Sequence, residues 1–260
     1  MTNETLTLKE KTQILTKQEE FSQRIARIVE ESNNTPKKPG KAIEIFSEGH
    51  NAKLCAVVSI INLPPIATCP NCASCSGSCY ATLRYGAPTV TPRWDRNLAM
   101  TQREDFVELA TRELRYKGTK LVRYHESGDF YSDDYINKCM ELAIENPQIF
   151  FYGYTKNKNA LKLNALKNVN VIYSLVETGT PVGEVRNYGT QEYCEFLRDN
   201  FNMFICPHTN EWKDEGKSCM GTCQECMTRD KVCFIEHGRK AKTDKYSPVM
   251  LEYLKKELKK

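Results

Sequence analysis

An alternation of helix-like and strand-like segments between residues 98 and 205 most constrains the fold of this chain. Apolar residues at helical spacing predict helices, and short β-branched or aromatic runs predict strands. Strands that alternate with helices form right-handed βαβ units around a parallel sheet, either open or curled into a partial barrel. We therefore predict an α/β fold. The predicted helices span 98–116, 133–145, 159–166 and 190–200, and the predicted strands span 120–126, 149–154, 169–175 and 201–205.

Three regions of different character divide the 260 residues. Residues 1–41 predict an N-terminal amphipathic helix followed by the linker NNTPKKPGK. The core is predicted at 42–205 and begins with two strands, 42–46 and 54–63, around the turn-forming sequence SEGHN. Residues 206–260 predict a small Cys-rich metal-binding appendage and a C-terminal helix, because this short segment has too few apolar residues to fold without a metal.

Composition argues against a secreted or membrane protein. The N-terminal sequence MTNETLTLKEKTQ lacks the apolar part of a secretory signal, and no run approaches the roughly 18 apolar residues of a spanning helix. We therefore expect a cytoplasmic protein with no membrane partner and, in that reducing compartment, no structural disulfides. The net charge of +4 is nearly balanced. The basic segment 239–245 is either a solvated face or a weak indication of a nucleic acid or nucleotide partner.

Twelve cysteines in an intracellular chain of this length indicate metal or redox chemistry. Four of them have the spacing C-x2-C-x2-C-x3-C, directly after the strand predicted at 54–63. This spacing reproduces the ferredoxin pattern for a 4Fe–4S cluster, with Tyr80 in place of the usual proline. Zinc is the alternative metal, since it also accepts four thiolates, usually as two C-x2-C knuckles. The four cysteines are Cys69, Cys72, Cys75 and Cys79.

A second group of five cysteines lies near the C-terminus and has C-x3-C-x2-C at its centre. A structural zinc and an auxiliary iron–sulfur cluster both fit this spacing, and His208 and His237 could substitute for a thiolate. The chain thus predicts one or two iron–sulfur clusters, with zinc as the alternative. Three isolated cysteines, Cys55, Cys139 and Cys194, are expected in the core. The five clustered cysteines are Cys206, Cys219, Cys223, Cys226 and Cys233.

Polar residues follow three neighbouring predicted strands, at the ends where parallel α/β folds bind ligands. Gly128 would let backbone approach a ligand closely, and Asp129 or Glu126 could accept hydrogen bonds from an ammonium or a ribose hydroxyl. The alternative is a set of turns, with Asp133 capping the next helix. Three polar strand ends together favour a pocket. The candidate catalytic residues are His125, Glu126 and Asp129, and the candidate ligand-binding residues are Ser127, Gly128, Asp129, Thr155, Lys156, Ser174 and Glu177.

Several sequence blocks resemble the phage family called Gene Product 88. In the pattern of that family the loop cysteines correspond to Cys69, Cys75 and Cys79, and Cys72 is an addition. The resemblance implies kinship and a phage context, and hence the host cytoplasm, rather than a particular chemistry. The blocks are NAKL at 51–54, TCP at 68–70 continuing to CYA at 79–81, HESGDF at 125–130 with YTK at 154–156, and the C-terminal Cys-Pro with its cysteine cluster.

A looser resemblance is to the radical S-adenosylmethionine superfamily. There a first strand leads into a three-cysteine loop, and a glycine- and acid-containing motif after the second strand holds the methionine amino group. Here the order is the same, with Ser127-Gly128-Asp129 at the second position, although the superfamily's usual loop is C-x3-C-x2-C. The resemblance implies a partial (β/α) barrel like part of a TIM barrel, a cluster with one open iron that chelates S-adenosylmethionine, and an enzyme that makes a radical to abstract hydrogen from an unknown substrate.

Two other functions remain open. The first is a zinc-stapled barrel enzyme that modifies a nucleic-acid base, as a transglycosylase does, with Asp129 as nucleophile. The second is a non-catalytic zinc-binding phage protein that binds a host partner. The identity of the metal separates the iron–sulfur enzyme from both zinc proteins.

Overall fold

The structure is a computed structural model that describes residues 45–49, 58–70, 79–174, 186–209, 223, 225–229, 231–235 and 255. The predicted helix and linker at 1–41 lie outside these residues. So does the predicted C-terminal helix, apart from Lys255.

Within the described residues, the main sheet has five strands in the order β1-β2-β3-β4-β5. The first pair is antiparallel, and β2 to β5 are parallel neighbours in chain order. The prediction of a mixed α/β fold with a largely parallel sheet is confirmed. The strands are β1 (Ser47–Glu48), β2 (Val58–Ile61), β3 (Leu121–Tyr124), β4 (Phe150–Thr155) and β5 (Val169–Tyr173).

Helices connect the parallel strands. Among the described residues, three helices lie between β2 and β3, one lies between β3 and β4, and a 3-10 helix at Lys158–Ala165 leads into β5. Ser132 caps the helix before β4 by accepting a hydrogen bond from the Tyr135 backbone N–H at 3.2 Å. The α-helices are α1 (Tyr80–Tyr85), α2 (Thr91–Gln102), α3 (Phe106–Lys117) and α4 (Asp133–Glu145).

The helix predicted at 98–116 is two helices in the structure. The backbone is extended at Arg103, with φ −71° and ψ 149°, which ends α2. The Arg103 guanidinium then pairs with the carboxylate of Asp105 at 2.6 Å, and α3 begins at the next residue. Both helices contribute to the hydrophobic core, since Leu98 and Met100 of α2 pack against it and Phe106 and Ala110 of α3 belong to it.

The hydrophobic core lies between the helices and one face of the sheet. Val122 and Tyr124 of β3 and Phe151 of β4 are almost fully buried there, together with Tyr135 and Ile136 of α4. Burial of one such side chain contributes roughly 1.5–3 kcal/mol. This layer of apolar residues holds β2 to β5 in register and so fixes the positions of the loops at their carboxyl ends.

A second, parallel sheet packs against the opposite face of β4 and β5. Val171 lies in the helix-covered core, whereas the next residue, Ile172, packs with Val232 on the other side. Tyr154 contacts Phe234 edge to face at 5.6 Å. The strands are β6 (Arg186–Gly189), β7 (Phe204–Ile205) and β8 (Val232–Ile235), in the order β6-β8-β7, with the helices α5 (Gln191–Phe201) and α6 (Glu225–Thr228) nearby in sequence.

This second sheet changes two details of the predicted organisation. The strand predicted at 201–205 pairs with β8 and not with the main sheet. The Cys-rich segment also contacts the core directly. The Asn170 side-chain amide of β5 donates a hydrogen bond to the Cys226 carbonyl oxygen at 3.0 Å. The segment around β8 is therefore joined to the core by direct contacts.

Candidate functional site at the carboxyl ends of the strands

The residues that follow β2 and β3 bind each other. Asn62 Oδ1 accepts hydrogen bonds from the backbone N–H groups of Glu126 at 2.8 Å and Ser127 at 3.0 Å. The Leu63 N–H donates to the Ser127 carbonyl at 3.0 Å, and Ser127 Oγ donates to the Leu63 carbonyl at 2.9 Å. These bonds fix residues 125–130, which we name the β3-end loop, against the chain that enters the first cysteine loop.

Gly128 permits a close approach between two protein segments. Its φ is +82°, and an added Cβ would lie 2.5 Å from Thr68 Oγ1 and 2.6 Å from Leu63 Cβ. The close approach that the sequence predicted for a ligand is thus made by the chain just before Cys69. Gly128 therefore positions the base of the cysteine loop on the β3-end loop.

Asp129 joins the ends of β3 and β4. Its Oδ1 accepts from Thr155 Oγ1 at 2.6 Å and from the Phe130 N–H at 2.7 Å, and its Oδ2 accepts from the Lys156 N–H at 2.7 Å. Burial raises the pKa of Asp129 above its ordinary value, and the three donors act in the opposite direction. A carboxylate has about four lone-pair positions, so most of its accepting capacity is used within the protein.

His125 lies in the aromatic core. Its Nε2 is 3.0 Å from the Tyr135 hydroxyl, and its ring meets Phe130 edge to face at 4.8 Å. Burial, and to a lesser extent the charge of Arg123, lowers the pKa of His125 to about 3. A buried, neutral imidazole packed against α4 is poorly placed for acid–base work. The structure places His125 in the core, and its catalytic role stays a prediction.

Glu126 pairs with Arg123, a residue that the sequence prediction missed. The distance from Arg123 Nη1 to Glu126 Oε1 is 3.6 Å, and both side chains are largely buried. The Tyr80 hydroxyl donates to the Glu126 carbonyl oxygen, so the helix that follows Cys79 contacts the β3-end loop. The signal that could have found Arg123 is a single charge within the apolar strand sequence LVRY.

Strand β5 ends beside β4, as the sequence predicted. The Ser174 N–H donates to the Thr155 carbonyl at 2.6 Å, and both residues are buried. Lys156 follows on the same edge and gives its N–H to Asp129. Glu177 lies outside the described residues. The structure thus gathers the polar residues after β3, β4 and β5, and many of their hydrogen bonds are to one another.

Cys69 and Cys79 mark the two described ends of the first cysteine loop. Both side chains are half-buried. Cys69 follows directly on Thr68, the neighbour of Gly128, and Cys79 precedes Tyr80. Cys72 and Cys75 lie outside the described residues. In the part of the chain that the structure describes, no group of three or more His, Cys, Asp or Glu side chains is arranged to hold a metal.

One cysteine of the second group forms a disulfide, and three others do not. Cys206, Cys223 and Cys226 lie outside this disulfide, and burial raises the pKa of Cys223, with a smaller contribution from Cys206. Cys219 lies outside the described residues. Cys233 is bonded to Cys194. This corrects two expectations, a metal-bound Cys233 and a chain without structural disulfides, because an oxidised sulfur offers no thiolate to a metal.

The isolated cysteines and the membrane expectation can also be compared with the structure. Cys139 and Cys194 are buried in the core, as predicted, and Cys55 lies outside the described residues. Among the helices that the structure describes, none is long and apolar enough to cross a membrane.

Fold and site together define a mixed α/β protein whose polar strand ends lie beside a cysteine-containing loop. The model of the Gene product 88 family matches residues 23–245. The chain therefore belongs to this phage family, which confirms the resemblance found in the sequence blocks. Comparison with curated proteins and with solved structures finds no match.

Proposed function

We propose that this protein is an iron–sulfur enzyme of the radical S-adenosylmethionine type, acting on an unidentified substrate in the cytoplasm of the phage host. The observation that carries the proposal is where the two described ends of the cysteine loop lie. Thr68, just before Cys69, lies against Gly128 after β3, and Tyr80, just after Cys79, donates a hydrogen bond to the Glu126 carbonyl oxygen. Parallel α/β folds bind their ligands at this edge.

The order of the strands supports a partial (β/α) barrel. Strands β2 to β5 are parallel and adjacent in chain order, as in a barrel wall. A doubly wound sheet would instead reverse its order at a switch point. We infer that β2 to β5 form one side of such a barrel, with the face that bears Arg123 and Tyr154 turned to the interior.

The donor set fits an iron–sulfur cluster. Thiolates are the ligands of these clusters, and Cys69 and Cys79 are half-buried thiols outside any disulfide. Cys69, Cys75 and Cys79 would hold the cluster, with Cys72 as an extra thiolate, and Cys206, Cys223 and Cys226 are candidates for a second metal. When bound, the cluster and S-adenosylmethionine supply one-electron chemistry that protein side chains lack.

The solvent exposure of Glu126 and the hydrogen bonds of Asp129 favour Glu126 as the carboxylate that meets the ammonium of the cofactor. Asp129 already accepts three hydrogen bonds from protein donors. The Glu126 carboxylate lies 3.6 Å from Arg123, and 22% of its side chain is exposed to solvent, whereas Asp129 is buried. In this proposal Asp129 is a positioning residue that orders Thr155 and Lys156, while Glu126 touches the ligand.

Titration calorimetry with S-adenosylmethionine on anaerobically reconstituted protein tests the proposal. We expect binding by the parent protein and its loss when Cys69 and Cys79 are both replaced by alanine. Cys139→Ala is the matched control and should retain binding, because Cys139 is a buried thiol of α4 in the hydrophobic core. A parent protein that carries zinc and does not bind S-adenosylmethionine would contradict the proposal and favour the base-modifying or host-binding alternatives.

A further inference from the structure

We propose that Arg123 is the anion-binding residue of this site and takes an oxyanion of the substrate, a carboxylate or a phosphate. The assignment of this oxyanion to a substrate rests on the proposed function. The anion site itself rests on Arg123 and its neighbours alone.

Arg123 lies on the face of the main sheet that turns away from the helices. Its neighbours in the strand, Val122 and Tyr124, belong to the helix-covered core, and alternate residues of a strand point to opposite faces. Its register partners are Ile60 of β2 and Tyr152 of β4. A permanently charged side chain thus sits within the protein, one residue before the end of a central strand.

The described contacts hold the guanidinium loosely. Its Nη1 is 3.6 Å from Glu126 Oε1, beyond the usual hydrogen-bond length, and its Cζ lies 5.7 Å from the centre of the Tyr154 ring. Its Nε is buried and has no hydrogen-bond partner in the described part of the chain. Buried arginines are normally hydrogen-bonded, and their planar fork binds carboxylate or phosphate through two parallel bonds.

The contacts of Arg123 place this anion site near Tyr80, the residue that follows the far end of the cysteine loop. Glu126 links Arg123 to Tyr80, since it pairs with the guanidinium through its carboxylate and accepts from the tyrosine through its carbonyl. Tyr80 directly follows Cys79. An oxyanion bound to Arg123 would therefore hold a substrate close to the edge where the cluster is proposed. The side chain is 16% exposed, so solvent reaches it.

Calorimetric titration of the full-length, anaerobically prepared protein with inorganic phosphate tests the site. Arg123→Gln should bind phosphate about ten- to a hundredfold more weakly than the parent protein, the loss of a charge-assisted hydrogen bond or two. Arg112→Gln is the control, because it removes an exposed arginine of α3 that pairs with Glu108, and it should bind as the parent does. Equal phosphate binding by the parent and Arg123→Gln would overturn the proposal, as would no binding by the parent.

Two further variants keep the test decisive if Arg123→Gln fails to fold. Glu126→Gln removes the competing carboxylate and should tighten phosphate binding severalfold, whereas a purely structural ion pair predicts no gain. Arg123→Lys keeps the charge without the fork and should bind phosphate with intermediate affinity. Unchanged phosphate affinity in both variants would overturn the proposal.

A parallel titration with S-adenosylmethionine separates the two sources of the oxyanion. Unchanged affinity for S-adenosylmethionine in Arg123→Gln, with weakened phosphate binding, supports a substrate anion. Loss of both would assign Arg123 to the carboxylate of the cofactor and overturn the substrate assignment. If the parent protein binds phosphate through Arg123 but never binds S-adenosylmethionine, the proposed function fails while the anion site stands.

Discussion

Replacement of Gly128 by alanine tests the packing at the base of the cysteine loop. The new Cβ would lie 2.5 Å from Thr68 Oγ1 and 2.6 Å from Leu63 Cβ, and the backbone keeps a φ of +82°. Leu63 cannot move away easily, because its N–H and its carbonyl are both bonded to Ser127. A left-handed backbone costs alanine about 1–2 kcal/mol, and overpacking costs about 1–3 kcal/mol. We expect a loss of roughly 2–5 kcal/mol in the free energy of unfolding.

Gly118→Ala separates the two costs. Gly118 also has a positive φ, +61°, but an added Cβ would meet nothing within 4 Å. It should therefore lose only the backbone cost of about 1–2 kcal/mol. Urea unfolding followed by circular dichroism gives both values under identical conditions. If Gly128→Ala costs no more than Gly118→Ala, the close contact of the β3-end loop with Leu63 and Thr68 is not present in solution.

Three more predictions follow from buried polar groups. Asp129→Asn turns one acceptor oxygen into a donor that faces backbone N–H groups, so urea unfolding should show a loss of about 1–3 kcal/mol in the free energy of unfolding. The exposed control Asp134→Asn should lose only a few tenths of a kcal/mol. Glu113→Gln should cost about 2–4 kcal/mol, because this carboxylate accepts from two backbone N–H groups at 2.8 and 3.1 Å, whereas the exposed Glu108→Gln should cost less than about 1 kcal/mol. The pKa of His125 is about 3 in the folded chain and about 6.5 when unfolded. Unfolding therefore takes up a proton between these values, and stability should be full above about pH 6.5 and fall by up to about 1.4 kcal/mol per pH unit below it. A His125→Gln variant should lack this part of the pH dependence, and an unchanged slope would contradict the placement of His125. An Asp129→Asn protein as stable as its parent would contradict the assignment of Asp129 to the fold.

Local sequence patterns were sufficient to predict the parallel strands of the main sheet, but β1 (Ser47–Glu48) falls in the sequence SEGHN that was predicted as a turn, and the described end of the strand predicted at 42–46 is not a strand. The helix predicted at 133–145 matches α4, whose start carries a serine cap and two acidic residues in the first turn. The strand predicted at 149–154 is displaced by one residue from β4. Both segments have a strong apolar period. The second sheet could not be predicted in this way, because β6, β7 and β8 are short and come together from distant parts of the chain.

The candidate site was predicted by position more reliably than by role. The sequence placed Ser127, Asp129 and Thr155 at neighbouring strand ends, where the structure has them. It did not show that Asp129 and Thr155 bond to each other, since hydrogen-bond partners depend on three-dimensional register. Arg123 was missed because an apolar strand was expected to bury only apolar side chains.

Metal analysis of anaerobically purified protein tests the central claim most directly. An iron–sulfur protein should contain about four iron atoms and four acid-labile sulfides for each cluster, with a brown visible absorption that bleaches on reduction. Replacement of Cys69 and Cys79 should remove the iron bound by the first cysteine loop, and replacement of Cys139 should not. Colourless protein with stoichiometric zinc and no acid-labile sulfide would contradict the account.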